Sequence, residues 1–128
     1  MDSILAQIKQ QLSLSLDSDV VLSSSFIDQH NSKSYTIVKN HKKAAVLCLL
    51  DYNNKDLIII LTLRSKKLKD HPGQISFPGG KVNNKEGLFE CALRETNEEI
   101  GLESKNINIL GELNMYLSGS NFLIKPIV

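Results

Sequence analysis

Three glutamates, Glu95, Glu98 and Glu99, are spaced so that they crowd one side of a predicted helix. A helix advances about 100° per residue, so positions i, i+3 and i+4 project in similar directions. Like charges at this spacing destabilise an isolated helix, and a converging set therefore needs a compensating partner. Hard cations such as Mg²⁺ and Mn²⁺ take oxygen ligands and bridge carboxylates to phosphates. We interpret the three glutamates as ligands of such a cation.

An acidic helix face that is simply exposed to water is the alternative interpretation. Arg94 would then offset part of the negative charge by pairing with Glu90 or Glu98, which each lie four positions away from it. The residues on either side of the three glutamates favour the metal site, because they complete a longer pattern of fixed positions.

These glutamates belong to a longer pattern in which seven positions are fixed. The segment from residue 80 to residue 102 resembles the Nudix box, G-x5-E-x7-R-E-U-x-E-E-x-G-U, where U is an apolar residue. At background frequencies of roughly 5–7% per residue type, a chance match has odds on the order of one in 10⁸. Thr96 departs mildly from the first apolar position, and Leu102 fits the second. The fixed positions are Gly80, Glu86, Arg94, Glu95, Glu98, Glu99 and Gly101.

This resemblance implies an α/β fold, an α/β/α sandwich around a mixed β-sheet, that hydrolyses a nucleoside diphosphate linked to another group with Mg²⁺ or Mn²⁺. A pyrophosphate is anionic and repels hydroxide, so the reaction needs cations to neutralise it and to activate a water. By position, Glu95 and Glu99 are the implied main metal ligands, with Glu98 as a further ligand or water-orienting base. Glu86 and Arg94 would steady the cluster through a salt bridge. Gly80 would let the backbone approach the metal closely.

The segment from Leu61 to Gly80 resembles the branch of this family that cleaves coenzyme A. Its pattern is L-T-x-R-S followed by L-x-x-H-x-G-Q-x-x-F-P-G-G. The resemblance implies cleavage of coenzyme A to 3′,5′-ADP and 4′-phosphopantetheine. Arg64 would contact a phosphate, because guanidinium suits phosphate oxygens. A surface position for Arg64 and a structural histidine are the alternatives. The implied substrate-binding residues are Arg64, His71, Gln74, Gly79 and Gly80.

Two other functions fit the same residues. One is hydrolysis of a different nucleoside diphosphate derivative, such as ADP-ribose or NADH. The other is a Nudix-fold module that binds a nucleotide or a protein without catalysis. All box carboxylates are present, which favours an enzyme.

The composition is that of a single globular domain. The chain has 128 residues, of which 41% are apolar, and its 15 basic and 14 acidic side chains nearly cancel. This balance gives no indication of a nucleic-acid or membrane partner. Cys48 and Cys91 lack metal-ligand spacing and lie in a predicted strand and helix, so we expect free thiols and a cytoplasmic location.

Hydrophobic periodicity predicts an α/β domain over residues 42–128, preceded by an N-terminal helix and linker over residues 1–41. The N-terminal helix is predicted from Ser3 to about Leu16. The box helix is predicted from Glu86 to Ile100 and ends at Gly101. We expect the two near-continuous apolar runs, 44–50 and 57–63, to be covered on both faces. The predicted strands are 44–50, 57–63, 107–113 and 122–128, with loops at 51–56 and 118–120.

The chain stops at Val128, where Nudix domains usually continue with another strand and a closing helix. We therefore expect a domain that is incomplete at its C-terminus, with an uncovered apolar strand at 122–128 and weakened turnover. Burial of that surface in a homodimer is one expected consequence. The alternative is that the N-terminal segment, with Ile4, Ile8 and Leu12, folds back over the gap.

Overall fold

A computed structural model describes residues 3–16, 21–23, 41–53, 55–63, 73–119 and 121–128. No helix within these ranges is long and apolar enough to cross a membrane. A 3₁₀ turn, Ser104–Asn106, follows the second helix. The helices and strands are α1 (Ser3–Ser15), β1 (Val21–Ser23), β2 (Lys42–Leu47), β3 (Leu49–Asn53), β4 (Asp56–Ile60), β5 (Thr62–Leu63), β6 (Ile75–Ser76), β7 (Gly79–Lys81), α2 (Leu88–Ile100), β8 (Met115–Leu117) and β9 (Phe122–Ile127).

Five of the strands form one mixed sheet in the order β1-β8-β9-β2-β7. Strand β2 runs parallel to β9 and antiparallel to β7, while β8 is antiparallel to β9 and parallel to β1. Two antiparallel pairs, β3 with β4 and β5 with β6, stand outside this sheet. The expected mixed sheet is confirmed.

Helix α2 covers one face of the sheet. Ala45 pairs with Gly80 on one side and with Lys125 on the other, so these three residues face the same way. Cys91 and Ala92 of α2 are fully buried in a cluster with Ala45. The other members of this core cluster are Leu47, Leu49 and Ile127.

Helix α1 contacts the segment that precedes β8, at Gly111. The carboxylate of Glu112 reaches the ammonium of Lys125 at 2.9 Å, which places Glu112 on the α2 side. The preceding residue, Gly111, faces the other way, and a Cβ built on it would lie 2.9 Å from the Cβ of Leu12. Leu12 is buried at this contact. Helix α2 therefore packs on the sheet itself, and α1 packs through Leu12 on the Gly111 segment, on the side away from α2.

The expectation of an open edge at the final strand is wrong, whereas Phe122, Ile124 and Pro126 on one face of it are half-exposed. Strand β9 lies between β8 and β2 in the sheet, and Ile127 is fully buried. The N-terminal segment does pack on the rest of the domain, through Leu12 at Gly111, but the fold-back over strand 122–128 stays a prediction. The division of the chain at residue 41 stays a prediction, although β1 shares the sheet with β8.

The apolar run 57–63 differs from the prediction of full burial. The run 44–50 is buried or half-buried throughout, because 44–47 lie in the inner strand β2 and Leu49 packs in the core cluster. Strands β4 and β5 instead belong to the two-stranded pairs, and most of their large apolar side chains are exposed. The hairpin between the runs is also tighter than predicted, since Asn53 already pairs with Asp56 and Lys55 turns with a φ of 74°.

The predicted strand 107–113 is wrong as a continuous strand. Only Glu112 forms a bridge, to Ile127. The amides of Leu110 and Gly111 both donate to the Val128 carbonyl, an irregular pairing that prevents a regular ladder there. The predicted loop at 118–120 is confirmed for its described residues by a turn in which the Asn121 amide donates to the carbonyl of Ser118.

Candidate active site

The box helix begins two residues later than predicted, because Glu86 belongs to the preceding loop. The Glu86 amide donates to the Asn83 carbonyl at 3.2 Å, and the Asn83 amide donates to the Glu86 carboxylate at 3.1 Å. At the other end Gly101 has a φ of 74° and its amide donates to the Asn97 carbonyl, so the predicted glycine stop is confirmed. The helix thereby presents the last three box glutamates within its final two turns.

Helical spacing places Phe89, Leu93, Thr96 and Ile100 on one stripe of α2, and the buried face differs from this stripe. Phe89 and Ile100 are exposed, whereas Cys91, Ala92 and Thr96 are buried. The Thr96 hydroxyl donates to the Ala92 carbonyl at 2.7 Å, which satisfies its polar atom inside the core.

Arg94 is the centre of a carboxylate cluster, a name used here for Glu86, Glu95, Glu98 and Glu99 together. Its Nε and Nη2 donate to the two oxygens of Glu86 at 2.6 and 3.0 Å, the bidentate geometry that suits guanidinium and carboxylate. Its Nη1 donates to Glu95 at 3.0 Å and to Glu98 at 3.2 Å. The salt bridge between Glu86 and Arg94 is thus present, and one cation holds three carboxylates together.

Glu95 is pressed against the backbone of β7. A Cβ built on Gly80 would lie 2.5 Å from the carboxyl carbon of Glu95, so only glycine leaves room for this carboxylate. Glu99 turns towards the same strand, where it accepts from the Gly79 amide at 3.4 Å. The structure therefore brings Glu95 and Glu99 to the two glycines that precede the box loop.

The surroundings of Glu86 and Glu95 shift the pKa values of their carboxyls in opposite directions. The hydrogen bonds from Arg94 and the Asn83 amide lower the pKa of Glu86 to about 2. Burial raises the pKa of Glu95, an effect that Glu98 and Glu99 reinforce and Arg94 opposes. Glu86 is thus a fixed anion that anchors Arg94, whereas Glu95 carries unfavourable charge that a bound cation would relieve.

The structure shows no contact between the carboxylate cluster and Gln74, Arg64 or His71 in the residues that it describes. Gln74 is exposed just before β6, and its role stays a prediction. Arg64 and His71 lie outside the described residues. Gly79 and Gly80 lie at the cluster, and their role in binding substrate stays a prediction.

Cys91 contacts the cluster and was not among the predicted site residues. Its Sγ lies 3.3 Å from the Gly80 carbonyl oxygen and 3.9 Å from Nη2 of Arg94. The available signal was its spacing, because Cys91 precedes Glu95 by four residues and therefore shares its side of the helix.

The wider pattern around the cluster matches the NUDIX domain family over residues 40–125, which is more than half of the chain. The chain belongs to the Nudix family. Nudix hydrolases generally use divalent metal ions.

The chain is similar to an uncharacterised Nudix hydrolase, NudL, from Yersinia enterocolitica, with 42% identity over 71 residues. This match covers 55% of the chain and 36% of that protein. It is similar to the mitochondrial Nudix hydrolase 15 of Arabidopsis thaliana, with 40% identity over 91 residues that cover 68% of the chain and 31% of that protein. The chain thus spans about a third of the length of these two relatives.

The fold resembles that of a crystal structure of a Nudix hydrolase, RenU, from M. smegmatis. The TM-score is 0.55 at 16% identity, and the match covers 67% of this chain and 58% of that one. At this identity the likeness establishes the fold, and the predicted Nudix-type sandwich is confirmed.

The donor chemistry of the carboxylate cluster fits a divalent metal ion. Among the described residues no three His, Cys, Asp or Glu side chains already converge as a ligand set. Glu95 and Glu98 instead share Arg94, and Glu99 faces the Gly79 amide. All donors are carboxylate oxygens, which hard cations prefer, and the space left by the missing Cβ of Gly80 is occupied by the Glu95 carboxylate.

Proposed function

We propose that this chain is a metal-dependent pyrophosphohydrolase that cleaves the diphosphate of a nucleotide derivative. The observation that carries the proposal is the arrangement of Arg94, which holds Glu86, Glu95 and Glu98 beside the glycine backbone of β7. Four carboxylates in this small volume repel one another, and Arg94 offsets only part of their charge. Such a cluster is suited to binding a cation together with an anionic substrate.

Hydrolysis requires a water oxygen to bond to one phosphorus while the bond from that phosphorus to the bridging oxygen breaks. A divalent cation supplies charge neutralisation and water activation to such a reaction. We assign Glu95, Glu98 and Glu99 as the residues that hold it. Glu98 is exposed and so also has access to a water whose proton it accepts. Glu86 orients Arg94, and Arg94 in turn orients Glu95 and Glu98.

Coenzyme A or one of its derivatives is the substrate that we propose. The support is the pattern from Leu61 to Gly80, which joins directly to the box through the two glycines at the cluster. The expected products are 3′,5′-ADP and 4′-phosphopantetheine. A cytoplasmic location stays a prediction, which imaging of the tagged chain in its host cell tests.

A substrate panel tests both the proposed pyrophosphohydrolase activity and the proposed substrate, coenzyme A. Coenzyme A, ADP-ribose and NADH are incubated at equal concentration with the chain and either Mg²⁺ or Mn²⁺, and products are identified by mass spectrometry. The reaction is run in ¹⁸O-labelled water so that the label marks the phosphorus that was attacked. Glu95→Gln is the inactive control, and Glu90→Gln is the matched control at a free position of the same helix.

We expect equimolar 3′,5′-ADP and phosphopantetheine, with label in one product. Faster cleavage of ADP-ribose or NADH would contradict coenzyme A and leave the pyrophosphohydrolase standing. A folded chain that binds these nucleotides with Mn²⁺ and cleaves none of them would instead support the non-catalytic module.

We also propose that the chain forms a homodimer through an apolar surface on β4, β5 and β6. These side chains are 40–67% exposed and follow one another along paired strands, since Leu63 pairs with Ile75. Exposed apolar side chains that cluster in this way are candidates for a protein–protein contact. The surface consists of Leu57, Ile59, Leu61, Leu63 and Ile75, whereas Ile58 projects from the opposite face of β4.

Sedimentation velocity tests the dimer. We expect Ile59→Lys to give a monomer, because a buried lysine would lack a partner, whereas Leu14→Lys, at an exposed leucine of α1 outside this surface, should leave the dimer intact. A wild-type chain that is a stable monomer at tens of micromolar would show the proposal to be wrong.

A further inference from the structure

We propose that Cys91 is a positioning residue of the carboxylate cluster, whose thiol donates a hydrogen bond to the Gly80 carbonyl and so holds β7 in place against α2. The inference rests on the metal-dependent function proposed above. The Cys91 side chain is fully buried, and its Sγ lies 3.3 Å from the Gly80 oxygen. This contact joins the first turn of α2 to the strand that borders the cluster.

The position of β7 determines where the Glu95 carboxylate can lie. Glu95 and Cys91 are four residues apart on the same side of α2, and both contact Gly80. The Glu95 carboxylate already fills the space that a Cβ on Gly80 would need. A movement of the Gly80 backbone away from α2 or along it therefore changes the surroundings of Glu95, a residue assigned to the metal.

The chemistry of the thiol suits a donor rather than a nucleophile. Burial, with the nearby Glu86 carboxylate, raises the pKa of the Cys91 thiol to about 11, so the S–H is retained at neutral pH. The sulfur also lies 3.9 Å from Nη2 of Arg94, on the guanidinium that holds Glu86. Cys91 is thus in contact with both the strand and the cation that set the geometry of the cluster.

Packing alone is the competing explanation, because a buried cysteine is also a small hydrophobic residue. Substitution of Cys91 by serine or by alanine separates the hydrogen-bond donor role from the packing role. They are close in size and both lack the bulk of sulfur, but only serine keeps a donor towards the Gly80 carbonyl. A donor role predicts that serine restores what alanine loses, and a packing role predicts the opposite order or no difference.

Mn²⁺ affinity measured by titration calorimetry on the full chain is the deciding measurement, with thermal unfolding recorded alongside. We expect Cys91→Ser to bind within about threefold of wild type and Cys91→Ala to bind about tenfold more weakly, the scale of one lost hydrogen bond. Cys48→Ala is the matched control. Cys48 lies between β2 and β3, outside the cluster, and its substitution should leave Mn²⁺ affinity unchanged.

Equal affinity of wild type and Cys91→Ala would overturn the inference, and so would equal weakening by serine and alanine. If Cys91→Ala does not fold, a folded Cys91→Ser with tenfold weaker affinity overturns it and one with wild-type affinity supports it. A wild-type chain that binds no Mn²⁺ would refute the proposed function and the role of Cys91 together. The wild-type titration therefore distinguishes failure of the proposed function from failure of the Cys91 inference alone.

Discussion

The substitution Gly80→Ala isolates the contact between β7 and the carboxylate cluster. The new Cβ would lie 2.5 Å from the carboxyl carbon of Glu95 and 2.6 and 2.9 Å from its oxygens. An ordinary contact needs about 3.5 Å, so the Glu95 carboxylate must move by roughly 1 Å. Its side chain can rotate away, because the atoms that clash form its flexible end. We therefore expect the fold to persist while the carboxylate leaves its place beside Arg94.

A displacement of 1 Å in a catalytic group costs about two orders of magnitude in rate. We expect Gly80→Ala to lose activity on that scale and to bind Mn²⁺ more weakly, with an unfolding free energy within about 1 kcal/mol of wild type. The assays are steady-state hydrolysis, Mn²⁺ titration and thermal unfolding. Gly119→Ala is the matched control, since a Cβ there meets nothing within 4 Å. Normal turnover and metal affinity in Gly80→Ala would refute the reasoning that Glu95 acts from this position.

Three further predictions follow from the box. Glu99→Gln keeps the side-chain shape but removes a charge, so we expect turnover to fall by at least about two orders of magnitude with unchanged thermal stability; normal turnover would contradict the metal assignment. Arg94 holds the pKa of Glu86 at about 2, below its usual 4.5, so this ion pair stabilises the fold above about pH 4.5 and loses that effect as the pH falls towards 2. Thermal unfolding should therefore separate wild type from Glu86→Gln at neutral pH and bring them together near pH 2, and a constant gap would count against the ion pair. Gly101→Ala should destabilise the fold by about 1 kcal/mol in denaturant unfolding, because φ is 74° there while a Cβ meets no atom within 4 Å; an unchanged midpoint would show that the cap is not required.

The sequence by itself predicted those features that depend on neighbours along the chain. The side of α2 on which Glu95, Glu98 and Glu99 lie follows from helical spacing, and the end of the helix follows from a glycine that accepts a positive φ. Burial of the run 44–50 also followed, because its residues show no polar alternation. The box pattern likewise predicted the pairing of Glu86 with Arg94, which the structure shows as two hydrogen bonds.

Only the tertiary structure decided which distant segments meet. The thiol of Cys91 contacts the Gly80 carbonyl because β7 pairs with β2 and lies against α2. No pattern of neighbouring residues predicts this placement. Leu12 likewise packs on Gly111, although about a hundred residues of chain separate the two.

The apolar runs 44–50 and 57–63 show most clearly that the sequence alone does not decide which segments become buried. Both are strongly apolar and both form strands, yet the first is largely buried and most of the second is exposed. Hydrophobicity records only that a segment gains free energy when it is removed from water. Packing against the core cluster decides whether that happens, and this packing depends on contacts between segments far apart in sequence.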